Sequence, residues 1–346
     1  MVTADLAPDR RLHASGGQAR NLFSELTHNM ATRTKIDGGA LSSVVERFIS
    51  QIMKDAETKN INAETLIQER LCVLEDLVSG YDFIKVITAY FIGAINHNDE
   101  KKSNSLKWLR AEYTSRLEAR KDLDVRTIID DATIYDYLKL YAQFAKIAGY
   151  KGLLIVLDEM VNLYKLNSSQ ARNNNYEQIL RIINDVLQGH AENIGFIMGG
   201  TPEFLMDSRR GLYSYEALQT RLAGNIFTTS ETQDLSGPII RLQNLTPEEL
   251  YVLLYNIRNV FASSNPDNYL VPDEALKAFM VHCSKRIGNS YFQTPRASVK
   301  AFVDLLSILE QYPDKRWSDL IEQTEIENEI LPSDDEFDDE LATIKL

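Results

Sequence analysis

The chain has 346 residues, enough for one large or two ordinary domains with a substantial buried core. A hydrophobic fraction of 44% and a charged fraction of 25% are those of a soluble globular protein, and no apolar run approaches membrane-spanning length. The formal net charge of −13 gathers in the stretch 322–340 and leaves a nearly balanced body, so composition neither supports nor excludes nucleic acid as a partner.

Cys72 and Cys283 stand far apart, without the paired spacing of a zinc site, as in a reduced compartment. Met1-Val2-Thr3-Ala4-Asp5 carries no charged leader ahead of an apolar stretch. The expected location is the cytoplasm, with no membrane partner.

Val2 to Leu6 reads as a strand followed by the polar turn Ala7-Pro8-Asp9-Arg10-Arg11. Gly16-Gly17 leads into a helical pattern through Ala19, Leu22, Phe23, Leu26 and Met30. These glycines invite a phosphate-cradle reading, but no Gly-Lys dipeptide occurs in the sequence, and they are expected to be a helix entry.

From Leu41 to Gly149 apolar residues recur at helical spacing, as in Val44, Val45, Phe48, Ile49 and Ile52. Between His97 and Asp124 lie Lys101, Lys102, Lys107, Arg110, Arg116, Arg120 and Lys121, close to Trp108 and Tyr113. Basic residues interleaved with aromatics suit a nucleic-acid or partner surface, and equally a solvated helix face.

The stretch Gly152-Leu153-Leu154-Ile155-Val156-Leu157-Asp158-Glu159 is the centre of the reading. An apolar run closed by two carboxylates predicts a strand buried on both faces, with charge at its carboxyl edge, where open α/β sheets keep their ligands. Metal-assisted phosphoryl transfer needs such a pair: Asp158 to hold Mg²⁺ and Glu159 to orient or deprotonate a water. The alternative is a buried strand whose acids are merely solvated.

The polar stretch 167–175 predicts an unpacked loop, with a helix from about Tyr176 to Gln188. A second buried strand, Ile194 to Met198, ends in Gly199-Gly200-Thr201-Pro202. Small residues there let a ligand approach, and Thr201 offers a hydroxyl to a phosphate or caps the turn into Pro202. Arg209, Arg210 and Arg221 add positive charge soon after, each a candidate arginine finger.

Pro238 to Leu242 reads as the last strand. Thr246-Pro247-Glu248-Glu249 predicts a capping box opening a helix to about residue 263. Further helices are expected after Val271-Pro272-Asp273 and from Thr294-Pro295-Arg296. Arg296 lies in a first helical turn, against the helix dipole, which suggests an anionic partner. Residues 331–346 read as an acidic disordered tail.

This order of signals resembles an AAA+ type P-loop ATPase. More narrowly, Ala4-Asp5-Leu6-Ala7-Pro8-Asp9-Arg10-Arg11-Leu12-His13 with Gly16-Gly17-Gln18-Ala19, Leu157-Asp158-Glu159, Gly199-Gly200-Thr201-Pro202 and Thr294-Pro295-Arg296 resembles the ATP-binding protein family of BREX bacteriophage-defence systems. The similarity runs nearly to the acidic tail. It implies an α/β fold with a P-loop NTPase (AAA+-like) parallel sheet in residues 1–243, a helical insertion at about 41–149 and a helical lid at 244–330.

The resemblance further implies ATP and Mg²⁺ as cofactors, Asp158 as metal carboxylate, Glu159 as catalytic base, Thr201 as first sensor and Arg296 as second sensor. Arg209, Arg210 and Arg221 remain the finger candidates, and other BREX-system proteins, a homo-oligomer and DNA the candidate partners. In that family the phosphate-binding strand and its Gly-Lys-Ser/Thr loop precede the position of Met1. The expectation is therefore a sheet lacking its first strand and phosphate loop. A non-hydrolysing interaction subunit that keeps the ATPase fold is the alternative.

Overall fold

Among the described residues three parallel strands form one sheet in the order β1 (Val2–Asp5), β2 (Leu153–Asp158), β3 (Ile194–Met198). The structure, a computed structural model, describes residues 1–225, 234–242, 244–287 and 295–323. It divides into two compact units, 1–239 and 240–346.

In the first unit the expected helical run between β1 and β2 is present. The helices are α1 (Gln18–His28), α2 (Leu41–Lys59), α3 (Ala63–Leu71), α4 (Gly80–Ile95), α5 (Asp99–Leu109), α6 (Arg116–Leu123) and α7 (Ile134–Ile147). Local chemistry sets their ends. Asn60 closes α2 in the left-handed region at φ 53°, and the Asn62 carboxamide caps α3 by accepting the Glu64 amide at 2.7 Å. Leu41, Val44, Val45, Phe48 and Ile52 bury the inner face of α2.

The 97–124 tract does not offer a stacking surface for bases. Trp108 and Tyr113 are each 1% exposed; the indole donates to Thr127 O at 2.9 Å and the phenol to Asp122 at 2.8 Å. Lys107 pairs with Glu118 and Arg116 with Asp130, so the solvated-face reading holds for these two cations, while the aromatics belong to the core. Burying two large rings outweighs leaving them open to a partner, at roughly 25 cal/mol per Å² of apolar surface.

The chain then continues through α8 (Val161–Tyr164), α9 (Ser169–Leu187), α10 (Pro202–Met206) and α11 (Glu216–Arg221). Two expectations fail here. The stretch 167–175 is not an unpacked loop: α9 starts at Ser169, capped by the Ser168 hydroxyl on the Ala171 amide, and Asn175 is fully buried. Asn175 exchanges hydrogen bonds with the backbone of His13, accepting at 2.9 Å and donating at 3.1 Å. A polar residue that finds such a partner is packed as firmly as an apolar one.

The other failure is Pro238 to Leu242, whose described residues form no strand. Ile239 packs against the first unit's core, whereas Ile240 and Leu242 are exposed. A β-branched run has strand propensity only where a neighbouring strand supplies hydrogen bonds, and none is present there among the described residues.

The second unit packs α12 (Pro247–Phe261), α13 (Asp273–Ile287), α14 (Pro295–Gln311) and α15 (Trp317–Gln323) around Leu254, Leu276, Phe279, Phe302 and Leu306. The expected capping box is formed: Thr246 Oγ1 accepts the Glu249 amide, and Glu249 accepts the Thr246 amide at 2.8 Å. Arg258, 2% exposed, donates to Val271 O and Asp273 and lies 4.1 Å over the Tyr269 ring. The tail 331–346 lies outside the described residues.

Candidate functional site

The carboxyl edge of the sheet is built by β2. Ile155 and Leu157 turn inward with Phe196 against Leu22 and Leu26 of α1, Ile134 and Leu138 of α7, and Ile182 of α9. The strand is not buried on both faces, as its apolar run implied. Leu154 and Ile197, which share the opposite face, are 38% and 54% exposed, because helices cover only one side of the sheet among the described residues. An apolar run does not by itself say whether one face of a strand is covered or both.

The sheet edges differ as well. At β1 the Thr3 carbonyl accepts from Asn29 Nδ2 at 3.0 Å and the Met1 carbonyl from the Ala31 amide at 2.8 Å, so this edge is blunted. No described residue pairs with the outer edge of β3, a charge-free Ile-Gly-Phe-Ile-Met run beside the site. An edge without charge or proline is a template for another strand.

Asp158 and Glu159 both lie exposed at the end of β2. Asp158 Oδ1 accepts the Glu159 amide at 2.8 Å, and Glu159 sits at φ 54°, in the left-handed region. For a residue with a Cβ that conformation costs about 1–3 kcal/mol, and such residues concentrate at functional sites. Gly199 explains itself on the same geometry: a Cβ there would stand 2.5 Å from Asp158 Oδ1. The chain therefore keeps open the space that the carboxylate fills.

Asp5 is the residue that sequence reasoning missed. It is the register partner of Asp158 on β1, so the two carboxylates share a face and an edge. Its signal was an acidic residue near the carboxyl end of the first expected strand, in the quoted Ala4-Asp5-Leu6 motif. Among the described residues no group of three or more His, Cys, Asp or Glu side chains could hold a metal ion. Mg²⁺ takes one or two carboxylates and completes its shell with water and phosphate oxygens, so the exposed carboxylate of Asp158 fits that ion without a protein cage.

Thr201 occupies the N-cap position of α10, yet its exposed hydroxyl makes no capping bond. The three finger candidates separate by their partners. Arg210 donates to the carbonyls of Tyr164 and Leu166 and stacks 5.3 Å from the Tyr164 ring centroid. Arg221 donates to Asn184 at 2.6 Å and to Ala217 O at 2.8 Å. The exposed Arg209 side chain makes no hydrogen bond or ion pair among the described residues, while its amide is held by Asp207 Oδ1 at 2.7 Å. Two backbone amides and the Tyr164 hydroxyl hold the Asp207 carboxyl below its ordinary range.

Arg296 is exposed in the first turn of α14 and belongs to the second unit. Gly16-Gly17 is a helix entry, as expected: the Asp131 carboxylate accepts the Gly17 amide at 2.6 Å and the Arg20 amide at 2.8 Å. An internal anion already occupies the donors that a phosphate would use.

Among the described residues no helix is long and apolar enough to cross a membrane. No curated protein and no solved structure matches the chain. The family model described as BREX system ATP-binding protein BrxC/D matches residues 1–325, and the chain belongs to that family.

Proposed function

We propose that this ATP-binding component of a BREX system hydrolyses Mg-ATP at the carboxyl edge of β2. The observation that carries the reading is the strained turn at Glu159, which sets two acids in succession at that edge beside Gly199. Asp158 would hold Mg²⁺, directly or through water, and the ion would supply charge neutralisation on the phosphate oxygens.

Glu159, turned away from the strand direction by its left-handed backbone, accepts the proton of the attacking water. The Thr201 hydroxyl, free of capping, orients that water or a phosphate oxygen. Arg296 serves as the second sensor from the helical unit, which acts as a lid. Of the three finger candidates Arg209 is the one whose guanidinium has no hydrogen bond or ion pair among the described residues, which favours a role towards a neighbouring copy. Other BREX proteins are the natural partners, with a homo-oligomer required for the finger and DNA a candidate target.

The open β3 edge supports the placing of a phosphate loop, since a further parallel strand there would end next to Gly199 and Asp158. The test is nucleotide binding by the chain with and without coding sequence upstream of Met1. Mg-ATP raises the Tm of the binding-competent protein, by about 2.7 kcal/mol of stability at one hundred times Kd. Glu159→Gln removes turnover and spares this shift. A shift in neither protein leaves an interaction subunit with an ATPase-derived fold; equal loss of binding and turnover in Glu159→Gln removes Glu159 from the role of base.

A further inference from the structure

At the opposite end of the sheet from Asp158, where β2 begins, lies a pocket of about 300 Å³. Met30, Leu41, Val44, Tyr141, Phe144 and Leu153 line it. That volume is at the lower end of ligand sites, which suits one or two bulky side chains better than a cofactor. The Tyr141 hydroxyl is already committed to Leu109 O.

Arg33 is part of the lining, and the sequence on either side of the lining residues is rich in cations, in a chain whose net charge is −13. The two stretches that form the pocket, 30–47 and 141–153, carry the five cations Arg33, Lys35, Arg47, Lys146 and Lys151 against the two acids Asp37 and Glu46. Glu46 is engaged by the Tyr90 hydroxyl at 3.0 Å. None of the five cations is in an ion pair among the described residues. Arg47 lies 4.7 Å over the ring of Tyr150, which lines the pocket, and Ile36 at the mouth is 75% exposed.

We infer that this pocket docks an acidic peptide segment of a partner protein, with a bulky apolar residue of that segment in the pocket and its carboxylates on Arg33, Lys35 and Lys151. The apolar floor supplies the affinity, and the unpaired cations supply selection and encounter rate. The inference does not rest on the nucleotide reading.

The probe is a fluorescein-labelled peptide with the sequence of residues 331–346, in which six acids flank Phe337. Anisotropy with the full-length chain is expected to give a Kd on the order of 10 μM, or about −7 kcal/mol. Ile36→Glu and Arg33→Glu, both at exposed positions, each weaken binding about tenfold with Tm unchanged, and a Phe337→Ser peptide does not bind.

Absence of binding at millimolar peptide, or binding indifferent to Ile36→Glu, overturns the proposal. Equal competition by short single-stranded DNA overturns it too, because phosphate would then suffice. If a full-length chain carrying Phe337→Ser binds the probe several-fold more tightly than the unaltered chain, the occupant is this chain's own acidic end and not a partner.

Discussion

Asp131 caps a helix whose first turn lies more than a hundred residues away in sequence: its carboxylate accepts the Gly17 amide at 2.6 Å and, through its other oxygen, the Arg20 amide. The first orphan donors of α1 are thereby satisfied from the segment that leads into α7. Charge-assisted bonds of this kind contribute more than a hydroxyl cap. Asp131→Ala is expected to lower stability by about 1–2 kcal/mol, and Asp131→Asn by less, since one acceptor remains. Urea unfolding of the two variants measures the difference; equal loss would mean that side-chain volume matters there, not acceptance.

Gly199 and Asp158 form a second coupled pair. Gly199→Ala places a methyl group 2.5 Å from Asp158 Oδ1, and the carboxylate, being at the surface, is the group that yields. Stability is expected to change by about 1 kcal/mol or less, while the Mg-ATP-dependent rise in Tm disappears. An alanine variant that keeps the full rise would show that the position of Asp158 is immaterial to nucleotide binding.

Glu159 makes stability and function pull in opposite directions. Its φ of 54° is strained for glutamate and open to glycine. Glu159→Gly is expected to be neutral or stabilising by up to about 1 kcal/mol despite the extra entropy of the unfolded chain. Hydrolysis is nevertheless lost in this variant, as in Glu159→Gln, which keeps the wild-type strain. Thermal melts alongside phosphate release separate the two effects; a Glu159→Gly variant that is destabilised by several kcal/mol would mean that the carboxylate supports the fold.

Much of this was legible because the signals are local. A capping box needs only Thr246 and Glu249 three residues apart, and an apolar run closed by two acids needs only its own strand. What was not legible depended on distant partners. Asn175 looks like a loop former until His13 is beside it, and Trp108 looks like a stacking platform until the carbonyl of Thr127 is known to receive its N–H. Pro238 to Leu242 errs in the other direction: its propensity is real, but no neighbouring strand completes it. The open face of β2 is the same lesson, since an apolar run does not state whether one face of its strand is covered or both.

Burial raises the ionisation of Tyr90 and Tyr113 well above the ordinary tyrosine value near 10, and hydrogen bonds to Glu46 and Asp122 add to the effect. The folded state thus favours the neutral phenols. Their contribution to stability is complete below pH ~10 and declines as pH climbs from there towards the raised folded values. Denaturant midpoints are expected to fall above pH ~10, with phenolate absorbance from these two rings appearing only on unfolding. Glu46→Gln should bring the Tyr90 ionisation back towards its ordinary range; if midpoints hold flat through pH ~11, these phenols are not linked to folding.

The arginines after β3 yield the sharpest test of the proposed chemistry, because their structural roles differ before any activity is measured. Arg210→Ala removes bonds to Tyr164 O and Leu166 O and the stacking on Tyr164, and should destabilise by about 1–3 kcal/mol. Arg221→Ala loses two exposed bonds, to Asn184 and to Ala217 O, and should cost about 1 kcal/mol. Arg209→Ala breaks no side-chain bond among the described residues, so its Tm should not move. A finger nevertheless contributes on the order of 10³ in turnover, so hydrolysis by the nucleotide-competent protein should collapse in this variant alone without loss of stability. Because a finger acts on the neighbouring subunit's nucleotide, mixing Arg209→Ala with Glu159→Gln should restore part of the activity: an interface that takes its base from the first variant and its arginine from the second is intact. Mixtures that stay inactive at every ratio, from two variants shown to co-assemble, would remove Arg209 from the site.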